Sequence, residues 1–399
     1  MGYVYATINK DTLAHICKEK GVSSEFLASK TKLNMSRLNQ WLTPTDINLP
    51  TINQAKKIAA CLHIPFAGLY MNPCDIPLKR IPNIRNMRTM SGAVSIDDSS
   101  LNIAMIDVLL ERDFLLSADD EFGITPPDFE PLIPDSDSVD EWANAIRKQF
   151  AIDLGEQYKC SSTRQFYLYV RDKIEAKGVF VHCFTDVMID TARGFSIYNT
   201  LLPIIGINDE DRPPAKTFTI IHELVHLFKR ESSLCNDMSS SASTPSEEVF
   251  CNAVAGELLV PKSALKIVLE HGHYFAPYSI EDIKQVADRF SVSREVIVRR
   301  LFELRKINQS EYDTYADLFR REIEEEREKR RIQRRNGINS SIPRSMSREA
   351  IDRTSPSVSK ILYQGYVNDV YSKLDIARHL NVGQNHIDKF LREVSKWNR

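Results

Sequence analysis

The sequence predicts a mainly helical α+β protein, and three patterns along its 399 residues support that prediction. Between Asp11 and Leu69, short stretches with apolar residues at helical spacing follow one another, which is typical of an all-α domain. Three runs rich in β-branched and aromatic residues, at 178–184, 194–198 and 202–208, are bounded by Gly, Asp or Asn and predict a small β-sheet. The apolar stretch 217–228 has no internal Gly or Pro and predicts a helix packed beside that sheet.

Composition and length limit the classes of protein to consider. With 42% hydrophobic and 27% charged residues, the chain has the composition of a globular protein and the length for two or three domains. No stretch reaches the roughly 18 unbroken apolar residues of a membrane span, and the N-terminus lacks a signal-peptide core, so we expect a cytoplasmic protein without a membrane partner. The seven cysteines are scattered without a CxxC pair, which favours reduced thiols over a disulfide framework.

The charge is distributed unevenly along the chain. Residues 1–90 contain twelve Lys and Arg against five Asp and Glu, a net charge of +7. Residues 91–141 contain one Arg against fourteen Asp and Glu, a net charge of −13. A basic N-terminal part favours nucleic acid as a partner, whereas the acidic part favours solvation or masking of the basic one.

The apolar stretch 217–228 contains an HExxH motif, His222-Glu223-Leu224-Val225-His226. On an α-helix, this four-residue spacing brings both imidazoles onto one face about one turn apart, close enough to bind one zinc ion. Glu223 projects beside them, where a general base can take a proton from water. A catalytic zinc site uses three protein ligands and leaves a position for water, so the motif requires a third ligand elsewhere.

A second helical pattern follows at 246–261 and can supply that ligand. Glu248 begins its buried side, and Asn252 falls on the same face one turn later, where it can hold a ligand histidine by a hydrogen bond. An isolated HExxH arises by chance, but the helix-compatible flanks and the carboxylate-bearing helix that follows favour a zinc site here.

These residues together resemble the ImmA/IrrE-type metallopeptidases of bacteria and their mobile elements. The resemblance lies in HELVH, in Glu248-x-x-x-Asn252 and in Leu258-Leu259-Val260-Pro261. It implies a zincin-like peptidase domain in which His222, His226 and Glu248 bind Zn²⁺ and Glu223 is the catalytic carboxylate. Two positions depart from the family wording, because Val225 replaces a common Gly and Cys251 a common Ala. Cys251 and Glu247 are retained as alternative ligands.

The segment 23–42 has the spacing of a helix-turn-helix. Ala28, Leu33, Leu38 and Trp41 fall on its inner side, and the segment resembles repressor-type (XRE-type) N-terminal domains. Polar residues on its second helix can reach base edges and phosphates of DNA; the predicted DNA-binding residues are Asn34, Ser36, Arg37, Asn39 and Gln40. The alternative is a helical bundle that docks on a protein. The same spacing recurs at Ala287, Val292 and Ile297 and at Ala377, Val382 and Ile387, which we interpret as local packing only.

The resulting domain plan has five parts. Residues 1–90 form the helix-turn-helix domain, 91–140 an acidic connecting segment with a helix at 101–116, and 141–305 the peptidase domain. Residues 306–345 form a charged, solvent-exposed helix and a linker, and 346–399 a small helical module that is too short for a large core of its own. The Ser-rich loop 238–245 is a candidate lip of the cleft, and His182 is predicted to be a core or edge residue of the sheet rather than a ligand.

Two classes of function follow from these patterns. The first is a zinc-dependent endopeptidase that cleaves a regulatory protein, which by the family resemblance is a helix-turn-helix transcriptional repressor of a mobile element or stress response. The second is a DNA-binding regulator, or a toxin–antitoxin partner, whose metal site is structural or inactive. The group that stabilises an oxyanion is not identifiable from spacing, since His271, His273, Tyr274 and Tyr278 qualify by side-chain chemistry alone.

Overall fold

The structure is a computed structural model that describes residues 4–79, 96–235, 246–335 and 345–397. The predicted Ser-rich loop 238–245 and much of the predicted linker within 306–345 lie outside these residues. Within them, the protein is mainly helical with one small sheet, so the α+β prediction is confirmed.

The N-terminal part consists of short helices joined by tight connections. They are α1 (Lys10–Glu19), α2 (Ser24–Thr31), α3 (Met35–Leu42) and α4 (Ile52–Cys61), followed by a 3₁₀ turn at Phe66–Tyr70. Each helix begins at a polar N-cap whose side chain accepts a backbone N–H of the first turn: Asn9, Ser23, Asn34 and Thr51. Leu13, Phe26, Leu38, Trp41 and Ile58 fill the core between them.

The acidic segment forms one long helix, α5 (Ile96–Phe122), which is longer than the predicted 101–116. Its Ile103 and Ile106 complete the N-terminal core, while its Met105 and Val108 belong to a second core beside the sheet. Asn102 Nδ2 donates to the carbonyl oxygen of Gly21 at 2.9 Å. The helix is therefore buried along one side by two cores rather than solvated all round.

The next part contains the sheet and the helices that pack on it. The helices are α6 (Val139–Phe150), α7 (Leu154–Lys159), α8 (Thr163–Glu175), α9 (Pro213–Phe228), α10 (Ser246–Leu259), α11 (Lys262–His271), α12 (Ile280–Phe290) and α13 (Arg294–Glu303). The strands are β1 (Phe180–Phe184), β2 (Gly194–Ile197), β3 (Ile204–Asn208) and β4 (Ser233–Cys235). The first three strands match the three predicted runs, and β4 was not predicted.

The sheet has the strand order β1-β3-β2-β4. β1 pairs with β3 in parallel, whereas β2 is antiparallel to both β3 and β4. A Cβ at Gly194 would lie 2.5 Å from Thr219 Cγ2 and 2.9 Å from the carbonyl oxygen of Gly206, so only glycine lets β2 approach α9 this closely. This approach brings β2 and β4 against the helix that carries the HExxH motif.

The sheet separates two hydrophobic cores. Val181, Cys183, Ile205 and Ile207 face the core that α9 shares with α6, α8 and α10. Phe180, Phe184, Phe195, Ile197 and Ile204 face the opposite core, which contains α5 and the C-terminal helices. The alternation of the side chains along each strand accounts for this division.

The C-terminal part packs on the second face of the sheet. It follows α14 (Gln309–Arg335) and consists of α15 (Met346–Arg353), α16 (Pro356–Val367), α17 (Lys373–His379), a 3₁₀ turn at Gln384–His386 and α18 (Ile387–Val394). Glu175 Oε2 accepts hydrogen bonds from Ser355 Oγ at 2.8 Å and from the backbone N–H of Ser357 at 3.0 Å. Arg171 Nη1 donates to the carbonyl oxygen of Asp352 at 2.8 Å. The module thus shares a core and a buried polar contact with the rest of the chain.

The long helix α14 lies within the segment 306–345, for which the sequence predicts a charged helix followed by a linker. Phe319 is buried, and Arg294 stacks over its ring at 4.5 Å from the centroid. Most of the following charged side chains that the structure describes are exposed, as predicted. Among the described residues, no helix is long and apolar enough to cross a membrane.

Candidate metal centre

The HExxH motif lies in the C-terminal half of α9, which is enclosed on nearly all sides. The helix begins with Pro213 and Pro214, whose fixed φ suits the first turn, and every side chain from Lys216 to Phe228 is buried. A helix that is buried all round packs against several elements at once. Here the sheet lies on one side of α9, and α8 and α10 pack against it as well. This packing fixes the direction of each motif side chain.

Three side chains converge on one point between α9 and α10. The Nε2 atoms of His222 and His226 are 3.2 Å apart. Glu248 Oε2 lies 3.1 Å from His222 Nε2, and Glu248 Oε1 lies 3.2 Å from His226 Nε2. Among the described residues, these three side chains form a group whose donor atoms all lie within 4.8 Å of one another.

The orientation of His222 is set by Asn252. Asn252 Oδ1 lies 3.1 Å from His222 Nδ1, one turn along α10 from Glu248. The amide oxygen is an acceptor only, so Nδ1 is the donor in this contact, and Nε2 is the ring nitrogen that faces Glu248. The contact between Asn252 and His222 has the geometry that the sequence analysis predicts, and the role of Asn252 in metal binding stays a prediction.

The electrostatic environment of the group is strongly negative. Burial alone would raise the pKa of Glu248, but hydrogen bonds to His222 and His226 hold that pKa well below its ordinary range. Burial likewise opposes charge on His226, yet hydrogen bonds to Cys251 and Glu248 raise its pKa to about 11. Glu231 Oε2 adds a further negative charge 3.7 Å from His226 Nδ1. A field that favours a proton on an imidazole also favours a divalent cation between the donors.

Glu223 lies beside this group without pointing into it as a ligand. Its side chain is fully buried, and its Oε2 accepts a hydrogen bond from Ser233 Oγ at 2.5 Å. The second carboxylate oxygen, Oε1, is buried without a hydrogen-bond partner among the described residues. A buried carboxylate oxygen without a partner is costly unless water or a bound ligand supplies one.

These donors suit zinc. Two imidazole nitrogens and one carboxylate are a ligand set of catalytic zinc sites, which leave one position open. In a tetrahedron with bonds of 2.0–2.1 Å, donor atoms are about 3.3 Å apart, close to the 3.2 Å between the Nε2 atoms of His222 and His226. Glu223 Oε1, which has no hydrogen-bond partner among the described residues, can accept a hydrogen bond from water or a ligand.

The other candidate ligands take different positions. Cys251 Sγ lies 3.9 Å from His226 Nδ1, on the ring nitrogen that faces away from Glu248, and burial raises the pKa of this thiol. Glu247 is exposed at the start of α10. His182 lies on β1 with its Nδ1 buried, and Phe180 is 5.7 Å from it between ring centroids, as expected of a residue in the sheet. Neither Cys251 nor Glu247 joins the three-residue group.

The side chains considered for oxyanion stabilisation lie at the end of α11 and beyond. His271 Nδ1 contacts the carbonyl oxygen of Ile267, Tyr274 donates to Gln285, and Tyr278 is buried, with its carbonyl oxygen accepting from Tyr315. His273 has a positive φ of 53° in the same turn. The contacts of these side chains are with residues between α11 and α14. None of these contacts involves His222, His226 or Glu248.

The predicted DNA-binding residues lie together on α3. Asn34 caps the helix by accepting the backbone N–H of Arg37 at 3.3 Å. Ser36, Arg37 and Asn39 are exposed and Gln40 is half-buried, while Leu38 and Trp41 face the core. A shallow concavity runs along this face, lined by Asn34, Met35, Ser36, Asn39, Gln40, Thr43 and Asp46.

Two serines near the group were missed by the sequence analysis. Ser233 contacts Glu223, and Ser196 on β2 lies 2.8 Å from Ser233 between hydroxyl oxygens. Neither serine belongs to a motif, and β4 has three residues, too few for an alternating pattern. Only the pairing of β4 with β2 brings them to Glu223.

The matches to known proteins concern the part of the chain that contains this group. A search of curated proteins finds no match to the chain. A family model does match, over about a third of the length, and the matched residues include the motif helix α9, the ligand-bearing helix α10 and all strands of the sheet. Residues 175–302 are accordingly identified as an IrrE N-terminal-like domain, a domain of a peptidase family.

Proposed function

We propose that the protein is a zinc-dependent endopeptidase that cleaves a regulatory protein inside the cell. The observation that carries this proposal is the convergence of the Nε2 atoms of His222 and His226 with Glu248, beside a buried carboxylate that is not a ligand. The match of residues 175–302 to a peptidase family supports it.

The three residues of the group share one task in this reaction, and Glu223 and Asn252 beside it have tasks of their own. A zinc ion held by His222, His226 and Glu248 would supply Lewis-acid chemistry, which makes water a better nucleophile and a carbonyl group a better electrophile. Glu223 Oε1 takes the proton from the attacking water and can return it to the amine that leaves. His222, His226 and Glu248 hold the ion, and Asn252 keeps His222 in the tautomer that binds it.

The edge strand β4 is a suitable place for a peptide substrate. Among the described residues, β4 pairs with β2 on one side only, and Ser233 at its start contacts Glu223. An extended peptide can add to such an edge through main-chain hydrogen bonds. Because only an extended backbone can pair in this way, we expect cleavage in a linker or in a segment that unfolds locally.

The face of α3 supports a second interaction, with DNA or with a DNA-bound partner. Ser36, Arg37, Asn39 and Gln40 offer amide, hydroxyl and guanidinium groups of the kind that read base edges. We therefore propose a helix-turn-helix transcriptional repressor as the substrate, because binding near the same DNA raises the local concentration of the peptidase at its target. The alternative, a DNA-binding regulator with a structural or inactive metal site, rests on the same face of α3.

The test compares protein termini in the source cell expressing the wild type or Glu223→Gln. We expect new termini in a helix-turn-helix repressor with the wild type only, while both proteins retain one zinc ion per chain. His222→Ala serves as the control that loses the metal. Identical sets of termini for all three proteins, under resting and DNA-damage conditions, would contradict the endopeptidase and favour the regulator with an inactive site.

A further inference from the structure

A pair of hydroxyl groups links the sheet to the buried carboxylate of Glu223. Ser233 Oγ lies 2.5 Å from Glu223 Oε2, and Ser196 Oγ lies 2.8 Å from Ser233 Oγ. Both serines are buried, at 8% and 0% exposure, so water does not compete freely for these hydrogen bonds. We propose that Ser233 is a positioning residue, which holds Glu223 so that its Oε1 faces the attacking water. This inference rests on the proposed function and assigns a residue that no motif contains.

The direction of the two hydrogen bonds follows from the chemistry of the groups. An ionised carboxylate accepts only, so the single hydroxyl proton of Ser233 is donated to Glu223. Ser196 must then donate its own proton to Ser233, because Ser233 has no second proton to offer. Hydrogen bonds in such a chain polarise one another, and a bond to a charged acceptor is stronger than one between neutral groups. The hydrogen bond from Ser196 therefore strengthens the hydrogen bond from Ser233 to the Glu223 carboxylate.

The two oxygens of Glu223 consequently differ in role. Oε2 is occupied by Ser233, whereas Oε1 is buried without a partner among the described residues. A glutamate side chain has three rotatable bonds, and a general base works only when its oxygen is held in the reactive geometry. Without the Ser233 hydroxyl, Glu223 would lose this anchor and turn towards the group itself.

The position of Ser233 on the edge strand gives the contact a second consequence. Ser233 is the first residue of β4 and pairs with Ser196 in the register of β2. A peptide that pairs with β4 would therefore bind to the same strand whose Ser233 positions Glu223. The hydroxyl group of Ser233 thus connects β4 to the carboxylate of Glu223 by one hydrogen bond.

The test uses the full-length chain loaded with Co²⁺ and the probe acetohydroxamic acid, and it requires no substrate. The probe chelates a metal with an open position and donates a hydrogen bond to a carboxylate held beside it, so its affinity reports the position of Glu223. Binding is followed by the visible absorption of Co²⁺. The variants are Ser233→Ala, Ser233→Thr and Ser196→Ala, and the matched control is Ser232→Ala. Ser232 lies next to Ser233 and binds the backbone N–H of Tyr198 instead of Glu223.

We expect Ser233→Ala to weaken binding of the probe about tenfold, in line with loss of a hydrogen bond to a charged group. Ser233→Thr should restore binding to within about twofold, Ser196→Ala should weaken it about threefold, and Ser232→Ala should leave it unchanged. If Ser233→Ala fails to fold, Ser196→Ala carries the test alone. Equal affinity in the wild type, Ser233→Ala and Ser196→Ala would overturn the role of Ser233 while leaving the metal site intact. A wild type that gives no spectral change with the probe would instead contradict the proposed function, and with it this role.

Discussion

Asn252 Oδ1 and His222 Nδ1 lie 3.1 Å apart, so a residue of α10 determines which nitrogen of a histidine on α9 faces the metal group. The contact joins the two helices at the point where Glu248 also reaches across. Replacing Asn252 should therefore affect metal binding although Asn252 is not a ligand.

Asn252→Ala should lower the affinity for Zn²⁺ about 10- to 100-fold, the usual effect of losing such an outer contact. The reason is that His222 becomes free to rotate and to exchange the proton between its ring nitrogens. Competition with a chromophoric chelator measures the affinity. The control is Asn252→Asp, which keeps an acceptor oxygen and should retain most of the affinity for Zn²⁺. An unchanged affinity in Asn252→Ala would show that the helix packing alone holds His222.

Binding of zinc should stabilise the folded chain. A ligand present at 100 times its Kd stabilises the state that binds it by about 2.7 kcal/mol. We expect a chelator to lower the thermal unfolding temperature of the wild type and to leave that of His222→Ala unchanged. Differential scanning fluorimetry with and without chelator gives both values. A chelator-induced shift of equal size in the two proteins would place the stabilising metal elsewhere.

Arg300 and Glu257 form a largely buried ion pair that should contribute to stability, because a charge left there without its partner is poorly solvated. Arg300 Nη2 contacts Glu257 Oε2, its Nη1 contacts Glu303, and its Nε donates to the carbonyl oxygen of Val260 at 3.1 Å. We expect Arg300→Met to lower the free energy of unfolding by about 3–5 kcal/mol, measured by urea denaturation. The double variant Arg300→Met with Glu257→Leu should recover a large part of that loss, because it leaves no charge at Glu257 without a partner. A double variant as unstable as Arg300→Met alone would show that an unpaired charge is not the cause.

Glu175 should make the stability of the protein depend on pH in the acidic range. Burial raises its pKa from 4.5 to about 6, despite the opposing effects of Arg171 and of the hydrogen bonds from Ser355 and Ser357. Between these two pH values the folded chain binds more protons at Glu175 than the unfolded chain, so the free energy of unfolding falls as the pH rises. Protonated Glu175 therefore adds about 2 kcal/mol to the free energy of unfolding at low pH, relative to ionised Glu175. This stabilisation is lost by about pH 6.

The measurement is urea denaturation of the wild type and Glu175→Gln at several pH values between 4 and 7. Glutamine keeps an acceptor oxygen for Ser355 and Ser357 but does not titrate. The stability of Glu175→Gln relative to the wild type should therefore rise with pH across this window. A constant difference between the two proteins would mean that Glu175 titrates alike in the folded and unfolded chains.

DNA binding by the face of α3 should weaken when Arg37 and Gln40 are replaced together. Four lysines of this part are already bound within the protein: Lys10 to the carbonyl oxygens of Gln40 and Asp46, Lys20 to that of Leu62, Lys30 to Asp186 and Lys79 to Asp113. The dependence of binding on salt should therefore be shallower than the net charge of the N-terminal part indicates, because fewer cations remain for phosphates.

Fluorescence anisotropy with the full-length chain and duplex DNA at several salt concentrations measures both effects. Arg37→Ala with Gln40→Ala should weaken binding at least tenfold, whereas Lys57→Ala, which removes an exposed charge from α4, should weaken it less than threefold. If the wild type binds DNA no better than Arg37→Ala with Gln40→Ala even at low salt, the face of α3 is a docking surface for protein.

The sequence by itself determined the features that depend on short spacings. His222 and His226 share a face because they are four residues apart on a helix, and Glu248 and Asn252 do so for the same reason. The three longer strands were likewise readable, because runs of β-branched and aromatic residues bounded by Gly, Asp or Asn are local properties of the chain.

The tertiary structure alone decided which distant residues meet. Ser233 contacts Glu223, and Ser196 contacts Ser233, because β2 and β4 pair in one register and because Gly194 lets the sheet approach α9. The sequence did not reveal that the acidic helix α5 belongs to two cores. Its net charge does not indicate which other elements its apolar side packs against. Contacts of this kind depend on the arrangement of whole elements in space, and a sequence pattern with a period of two or 3.6 residues contains no information about that arrangement.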